Sequence, residues 1–108
     1  MQMQFQTSGL KNSEKEYFEK YAQKKFSKLQ SLLKKFDPDT VILHLNIEHM
    51  EKHNAFIFKA HLELPKHSIH HEESKHNLEE VIDLCYENIH QQMVKDKEKH
   101  SQHKRMSA

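Results

Sequence analysis

Lysines recur at helical spacing in the first third of the chain. Lys20, Lys24 and Lys28 follow one another at intervals of four, so on an α-helix they form one row. Lys25 lies beside that row, and Lys35 continues the basic side. Such a row can follow the phosphate backbone of a nucleic acid, because each contact releases counterions. A second basic run near the C-terminus has the same chemistry and consists of Lys95, Lys97, Lys99, Lys104 and Arg105.

Charge is unevenly distributed along a chain whose net charge is only +1. Residues 11–36 contain eight Lys and three Glu, which gives +5, and residues 94–108 contain five basic and two acidic residues, which gives +3. Residues 37–93 contain four Lys and eleven acidic residues, which gives −7. This pattern predicts a basic side suited to a polyanion. A merely solvated helix face would have the same composition, so charge alone leaves both interpretations open.

The eleven histidines and the single cysteine do not form a recognisable reactive site. The sequence has no H-E-x-x-H motif, so we expect no metal site and no cofactor. Cys85 falls on an apolar helical stripe, which predicts a buried structural thiol rather than a nucleophile. A chain with one glycine has no Gly-rich phosphate loop. These observations give no indication of an enzyme.

Alternation of apolar and polar residues predicts four strands. Residues 1–7 alternate strictly, and residues 41–48 and 56–63 do the same. The latter two segments are expected to pair antiparallel around a turn at residues 50–54. Residues 67–72 form a weaker strand pattern centred on Ile69. The single cysteine, the lack of a long apolar run and the lack of a signal peptide favour a cytoplasmic protein without a membrane span.

Two helices complete the predicted order β-α-β-β-β-α. Ser13 with Glu16 predicts a capping box, and the first helix should run to about Phe36, before Asp37-Pro38-Asp39. Asn77 with Glu80 predicts the start of the second helix, with Ser74 as a competing start. Strands with one polar face need helices on the other face only, which predicts an α+β, two-layer sandwich with both helices on one face of a four-stranded sheet. The expected domain covers residues 1–94, followed by a basic helix end and flexible tail at 95–108.

The chain resembles the ribosome hibernation factors, a family that includes the short hibernation-promoting factor and protein Y. The resemblance covers residues 1 to about 103 and rests mainly on the order of elements. It also rests on Lys25-Phe26-Ser27-Lys28-Leu29 late in the first helix, on Val81-Ile82-Asp83 in the second, and on the run Lys95-Asp96-Lys97-Glu98-Lys99.

The resemblance implies a non-enzymatic inhibitor of translation that acts in stationary phase or stress. It implies binding to 16S rRNA of the small ribosomal subunit and to the 70S ribosome, in the channel used by mRNA and tRNA. No DNA or membrane partner is expected, and the protein should be a monomer off the ribosome. By position, the resemblance implies rRNA contacts at Lys25, Lys28, Lys95, Lys97 and Lys99. Helix geometry and the basic run add Lys20, Lys24, Lys104 and Arg105.

The sequence also departs from the family pattern. Asn77-Leu78-Glu79 stands where the family usually has Asp-Met-Tyr, and Asn88 and Gln91 stand where basic residues are common. These differences predict weaker RNA binding than in a typical member. A general module for double-stranded or structured RNA, and a histidine-rich metal-binding protein, remain the alternative functions.

Overall fold

The computed structural model describes the backbone of residues 1–107 and the side chains of residues 1–96. The observed order β-α-β-β-β-α confirms the prediction, and short 3₁₀ segments at Ser27–Leu32, Pro38–Thr40 and Glu51–His53 lie in the connections. The elements are β1 (Gln2–Ser8), α1 (Asn12–Phe26), β2 (Ile42–Met50), β3 (Ala55–Glu63), β4 (Ser68–Lys75) and α2 (Leu78–Ser107).

The four strands form one mixed sheet in the order β1-β2-β3-β4. β1 runs parallel to β2, whereas β2, β3 and β4 pair antiparallel. The predicted β2–β3 hairpin is confirmed, and Asn54 ends its 3₁₀ segment in the left-handed conformation that asparagine tolerates. β4 is longer than the predicted strand, because its alternation continues to Lys75.

Both helices pack on the same face of the sheet. Leu45 of β2 and Phe58 of β3 point to this face and are at most 1% exposed. Phe18 and Phe26 of α1 and Ile89 of α2 cover them and are fully buried. Because all these apolar side chains share one face, the opposite face of the sheet carries the polar half of each alternating strand. The predicted two-layer sandwich is therefore confirmed.

The first helix differs from its prediction at both ends. Lys11 occupies the capping position, and its backbone N–H donates to Glu14 Oε1 at 2.9 Å, so the predicted capping box of Ser13 and Glu16 is wrong. The α-helix ends at Phe26 rather than near Phe36, and a 3₁₀ segment follows. Ser27 Oγ donates to the carbonyl oxygen of Gln23, a local bond of the kind that competes with regular helix geometry.

The second helix begins where the sequence predicts. The backbone N–H of Glu80 donates to Asn77 Oδ1 at 3.0 Å, and the competing start at Ser74 lies within β4. The buried stripe of α2 reaches Met93, which is 7% exposed. The domain boundary near residue 94 and the tail character of residues 95–108 stay predictions. Within the described residues, no helix is both long and apolar enough to cross a membrane.

Gly9 links β1 to α1 in a conformation that disfavours any other residue. Its φ is +73°, and a Cβ at this position would lie 2.7 Å from the carbonyl oxygen of His49. We expect Gly9→Ala to lower the free energy of unfolding by about 2–3 kcal/mol, because backbone strain adds to a clash with another backbone. Urea denaturation followed by circular dichroism measures this. Ser8→Ala, at the exposed residue before Gly9, is the control. A decrease in unfolding free energy for Gly9→Ala no larger than that for Ser8→Ala would refute the prediction.

Candidate nucleic-acid interface

The lysines predicted to bind RNA from the first helix are mostly exposed. Lys20 and Lys24 lie about one turn apart on α1, away from the buried stripe that contains Phe18 and Ala22. Lys28 is exposed as well, but it lies in the 3₁₀ segment. Because that segment has about 3.0 residues per turn, Lys28 is displaced from the straight row that a spacing of four predicts on an α-helix. All three side chains are accessible to a ligand, and their contact with RNA stays a prediction.

Lys25 lies between the two helices. Its Nζ is 3.3 Å from Asp83 Oδ1, and it lies 5.5 Å from the centre of the Tyr86 ring. The side chains of Lys25 and Asp83 are 24% and 32% exposed, respectively. Lys25 is thus partly buried beside the exposed row, and the carboxylate of Asp83 offsets its charge locally. An rRNA contact by Lys25 stays a prediction, but the ion pair would compete with it.

Asp83 joins α1 to α2 through a second contact, which sequence reasoning missed. The hydroxyl group of Tyr21 donates to Asp83 Oδ1 at 2.5 Å, and the Tyr17 ring stacks on Tyr21 with 5.4 Å between ring centres. The hydrogen bond to the carboxylate raises the pKa of Tyr21, with burial as the second cause. The sequence gives no direct signal for this contact, because 62 residues separate its partners.

The two helices run side by side in the same direction. Tyr21 contacts Asp83, and Phe26 packs on Tyr86 with 5.4 Å between ring centres, so the contacts advance together along both helices. Further along, Lys35 and Asp96 line the same groove. The first turn of α2 is acidic, with Glu79 and Glu80. The helical layer is therefore acidic where α2 begins, and α1 and α2 run from there in the same direction.

The last turns of α2 whose side chains are described contact β4 and the turn before it. Gln92 Nε2 donates to the carbonyl oxygen of His70 at 3.1 Å, and His67 Nε2 lies 3.0 Å from Asp96 Oδ2. Next to this contact, Lys95 is exposed. The side chains of the remaining predicted contacts lie outside the described residues: Lys97, Lys99, Lys104 and Arg105.

Cys85 is a buried thiol, as predicted. It is 0% exposed, and its Sγ lies 3.8 Å from the carbonyl oxygen of His71. Burial, and secondarily the charge of Glu73, raises the pKa of Cys85 to about 12. Because the thiolate is the reactive form, we expect the native protein to react negligibly with a disulfide reagent at about pH 8. Absorbance of the thiol that the reagent releases on reaction tests this, with urea-unfolded protein as the reactive control. Rapid stoichiometric reaction of the native protein would contradict the burial.

Candidate metal ligands do not converge in the described part of the chain. No three His, Cys, Asp or Glu side chains there are placed so that they could hold a metal ion together. His71 instead contacts Glu73, with 2.7 Å from Nε2 to Oε2, and His44 contacts Glu63 at 3.3 Å. Other described histidines contact groups that are not metal ligands in these places, such as His76, whose Nδ1 lies 2.8 Å from the carbonyl oxygen of Asn54. A metal-free protein stays a prediction.

Comparisons with known proteins agree with the fold. A ribosomal subunit interface protein from Coxiella burnetii superposes with a TM-score of 0.64 at 20% identity, covering 90% of this chain and 98% of that one. The N-terminal domain of Protein Y from Thermus thermophilus gives 0.63 at 17% identity, covering 86% and 96%. No curated protein sequence matches the chain. The model of the family described as sigma 54 modulation protein / S30EA ribosomal protein matches residues 5–101. The chain therefore belongs to this family of ribosome hibernation proteins.

Proposed function

We propose that the protein binds 16S rRNA of the small ribosomal subunit through the outer side of its helical layer. Bound in the channel used by mRNA and tRNA, it would inhibit translation in stationary phase or stress. The observation that carries this proposal is the exposed basic set on the helices, formed by Lys20, Lys24, Lys28 and Lys95. Membership of the S30EA family and the fold shared with a ribosomal subunit interface protein support it.

The mechanism is occupation of a site rather than catalysis. A rigid helical layer presents its lysines at fixed positions, so phosphates of a folded RNA can be matched by shape and charge. Asp83 holds α1 against α2 through Tyr21 and Lys25, which keeps the two helices in one relative position. The protein would act in the cytoplasm, where ribosomes translate, as a monomer with no cofactor.

A purified translation system tests the proposal. Adding the protein to 70S ribosomes before mRNA and initiator tRNA should inhibit synthesis of a reporter. Ribosomes that already hold mRNA and tRNA should resist inhibition, because the ligands occupy the same channel. Equal inhibition in both orders of addition would contradict the proposed site, and no inhibition in either order would contradict the proposed function.

Binding to ribosomes should strengthen as the pH falls from about 7.5 to about 6. Histidine is the side chain that gains a proton in this range, and the chain has eleven, whereas RNA phosphates keep their charge. The added positive charge would favour binding to RNA. Pelleting with 70S ribosomes at each pH measures the effect, with ribosome integrity checked by sedimentation. A flat or reversed pH dependence would contradict this prediction.

A further inference from the structure

The face of the sheet opposite the helices, called the open face here, carries a row of histidines. His44 of β2 is paired with His61 of β3, and His61 is paired with His70 of β4. The ring centres of His44 and His61 are 5.8 Å apart, and those of His61 and His70 are 6.2 Å apart. The row continues onto β1 at Gln4, which is paired with His44. Three imidazole rings and an amide therefore cross the whole width of the sheet.

These rings are accessible, because the described residues of α1 and α2 pack on the other face of the sheet. The His44 side chain is 38% exposed, His61 is partly exposed and His70 is exposed. A neighbouring row on the same face adds two amides and a lysine, from Gln6, Asn46 and Lys59. The surface thus combines flat rings, amide donors and acceptors, and a positive charge. Such groups can stack on nucleobases, bind their edges and contact phosphate.

The charge of the open face depends on the protonation of the row. Among the side chains that the structure describes, one lysine and three glutamates give this face a net charge of −2 with neutral histidines, and three imidazolium groups would change it to +1. Glu63 lies 3.3 Å from His44, and Glu72 lies 3.9 Å from Lys59, so both carboxylates already face a basic partner. The remaining charged side chain on this face, within residues 1–96, is Glu48, towards the other end of β2 from His44. Attraction to a polyanion would therefore require protonation.

We propose that the open face is a second RNA-binding surface, which takes single-stranded RNA when the histidine row is protonated. A single strand is favoured over a duplex because the rings offer stacking surfaces, and bases within a duplex are already stacked. The sheet is also a broad surface, which an extended strand can cross from one ring to the next. This surface lies on the other side of the sheet from the helices, so it does not rest on the function proposed for them.

Fluorescence anisotropy with a labelled RNA strand of twelve uridines tests the proposal, without ribosomes and with a chelator present. Wild-type protein should bind at least about tenfold more tightly near pH 5.8 than near pH 7.5, because histidine is the side-chain type that gains positive charge over this range and the row crosses the proposed surface. An abasic strand of equal length should bind at least about fivefold more weakly near pH 5.8, because it cannot stack. The row variant combines His44→Gln, His61→Gln and His70→Gln. It should abolish the pH dependence of strand binding.

Two control variants separate this surface from others. Replacing His49, His53 and His76 with glutamine removes the same number of imidazoles near the β2–β3 turn and should weaken strand binding much less than the row variant does. Replacing Lys20, Lys24 and Lys28 with alanine tests the helical side, and it should also leave strand binding largely intact. Thermal melting curves of these two variants and of the row variant should match that of the wild type, which shows that each variant is folded.

The outcomes are distinguishable. Loss of strand binding only in the row variant supports the proposal, whatever happens to ribosome binding. The proposal is overturned if the row variant binds like wild type, if the control histidine variant loses as much, or if the abasic strand binds equally well. Loss only in the lysine variant would place the strand on the helices and would also overturn it.

Discussion

Replacing Lys20, Lys24 and Lys28 together with alanine is expected to weaken binding to the small ribosomal subunit on the order of tenfold to hundredfold. The three side chains are exposed on the helical layer. Each phosphate contact that is lost should also lower the slope of log affinity against log salt by roughly 0.7–0.9. The fold should change little, because exposed substitutions usually stay within about 0.5 kcal/mol and alanine favours helices. Pelleting with 30S subunits over a series of salt concentrations measures both effects.

Two control variants make this experiment specific. Replacing Lys15, Lys52 and Lys66 removes the same number of charges from exposed positions outside the basic set, with Lys15 in the first turns of α1, and should alter binding much less. Lys25→Ala alone should also have a small effect, since its ion pair with Asp83 already occupies it. If the two triple variants weaken binding equally, only net charge matters and the proposed surface is wrong.

Phe26→Ala is expected to remove about 3–5 kcal/mol from the free energy of unfolding. Phe26 is 0% exposed at the junction of both helices with the sheet. Its ring centre is 5.9 Å from that of Phe58 in β3 and 5.4 Å from that of Tyr86 in α2. Truncation would therefore leave a cavity where three elements meet. Since a domain is stable by only about 5–15 kcal/mol, the urea midpoint should fall sharply.

The matched control for this substitution is Phe36→Ala. Phe36 lies after the 3₁₀ segment and is only partly buried, so the same change of side chain should cost about 1–2 kcal/mol. A destabilisation of Phe26→Ala no greater than that of Phe36→Ala would show that the junction does not hold the helices on the sheet.

Local patterns in the sequence were sufficient to predict the layers of the fold. The alternation in β2 and β3, and the stripe from Val81 to Met93, indicate which side of each element is buried, and the sheet follows from that. Asn77 caps α2 as its spacing to Glu80 predicts. These features depend on residues close in sequence, and burial of one face leaves little choice of register.

Other features depend on contacts that sequence spacing does not reveal. The end of α1 at Phe26 was missed because the apolar spacing continues through Leu29, and a 3₁₀ segment can bury the same residues. The position of Lys25 depends on Asp83, which lies 58 residues later in the sequence. Alternation places His44 and His61 on the polar face of the sheet, but their alignment with His70 in one row depends on the pairing register of three strands.

Sedimentation of purified protein with separated 30S and 50S subunits and with 70S ribosomes, on a sucrose gradient at low salt, tests the central proposal most directly. The proposed function predicts co-sedimentation with 30S and 70S particles at about one copy per particle, and little with 50S subunits. Excess duplex RNA of unrelated sequence should compete weakly. Equal binding to 50S subunits, or complete displacement by the unrelated duplex, would contradict a specific site on the small subunit and favour a general RNA-binding module.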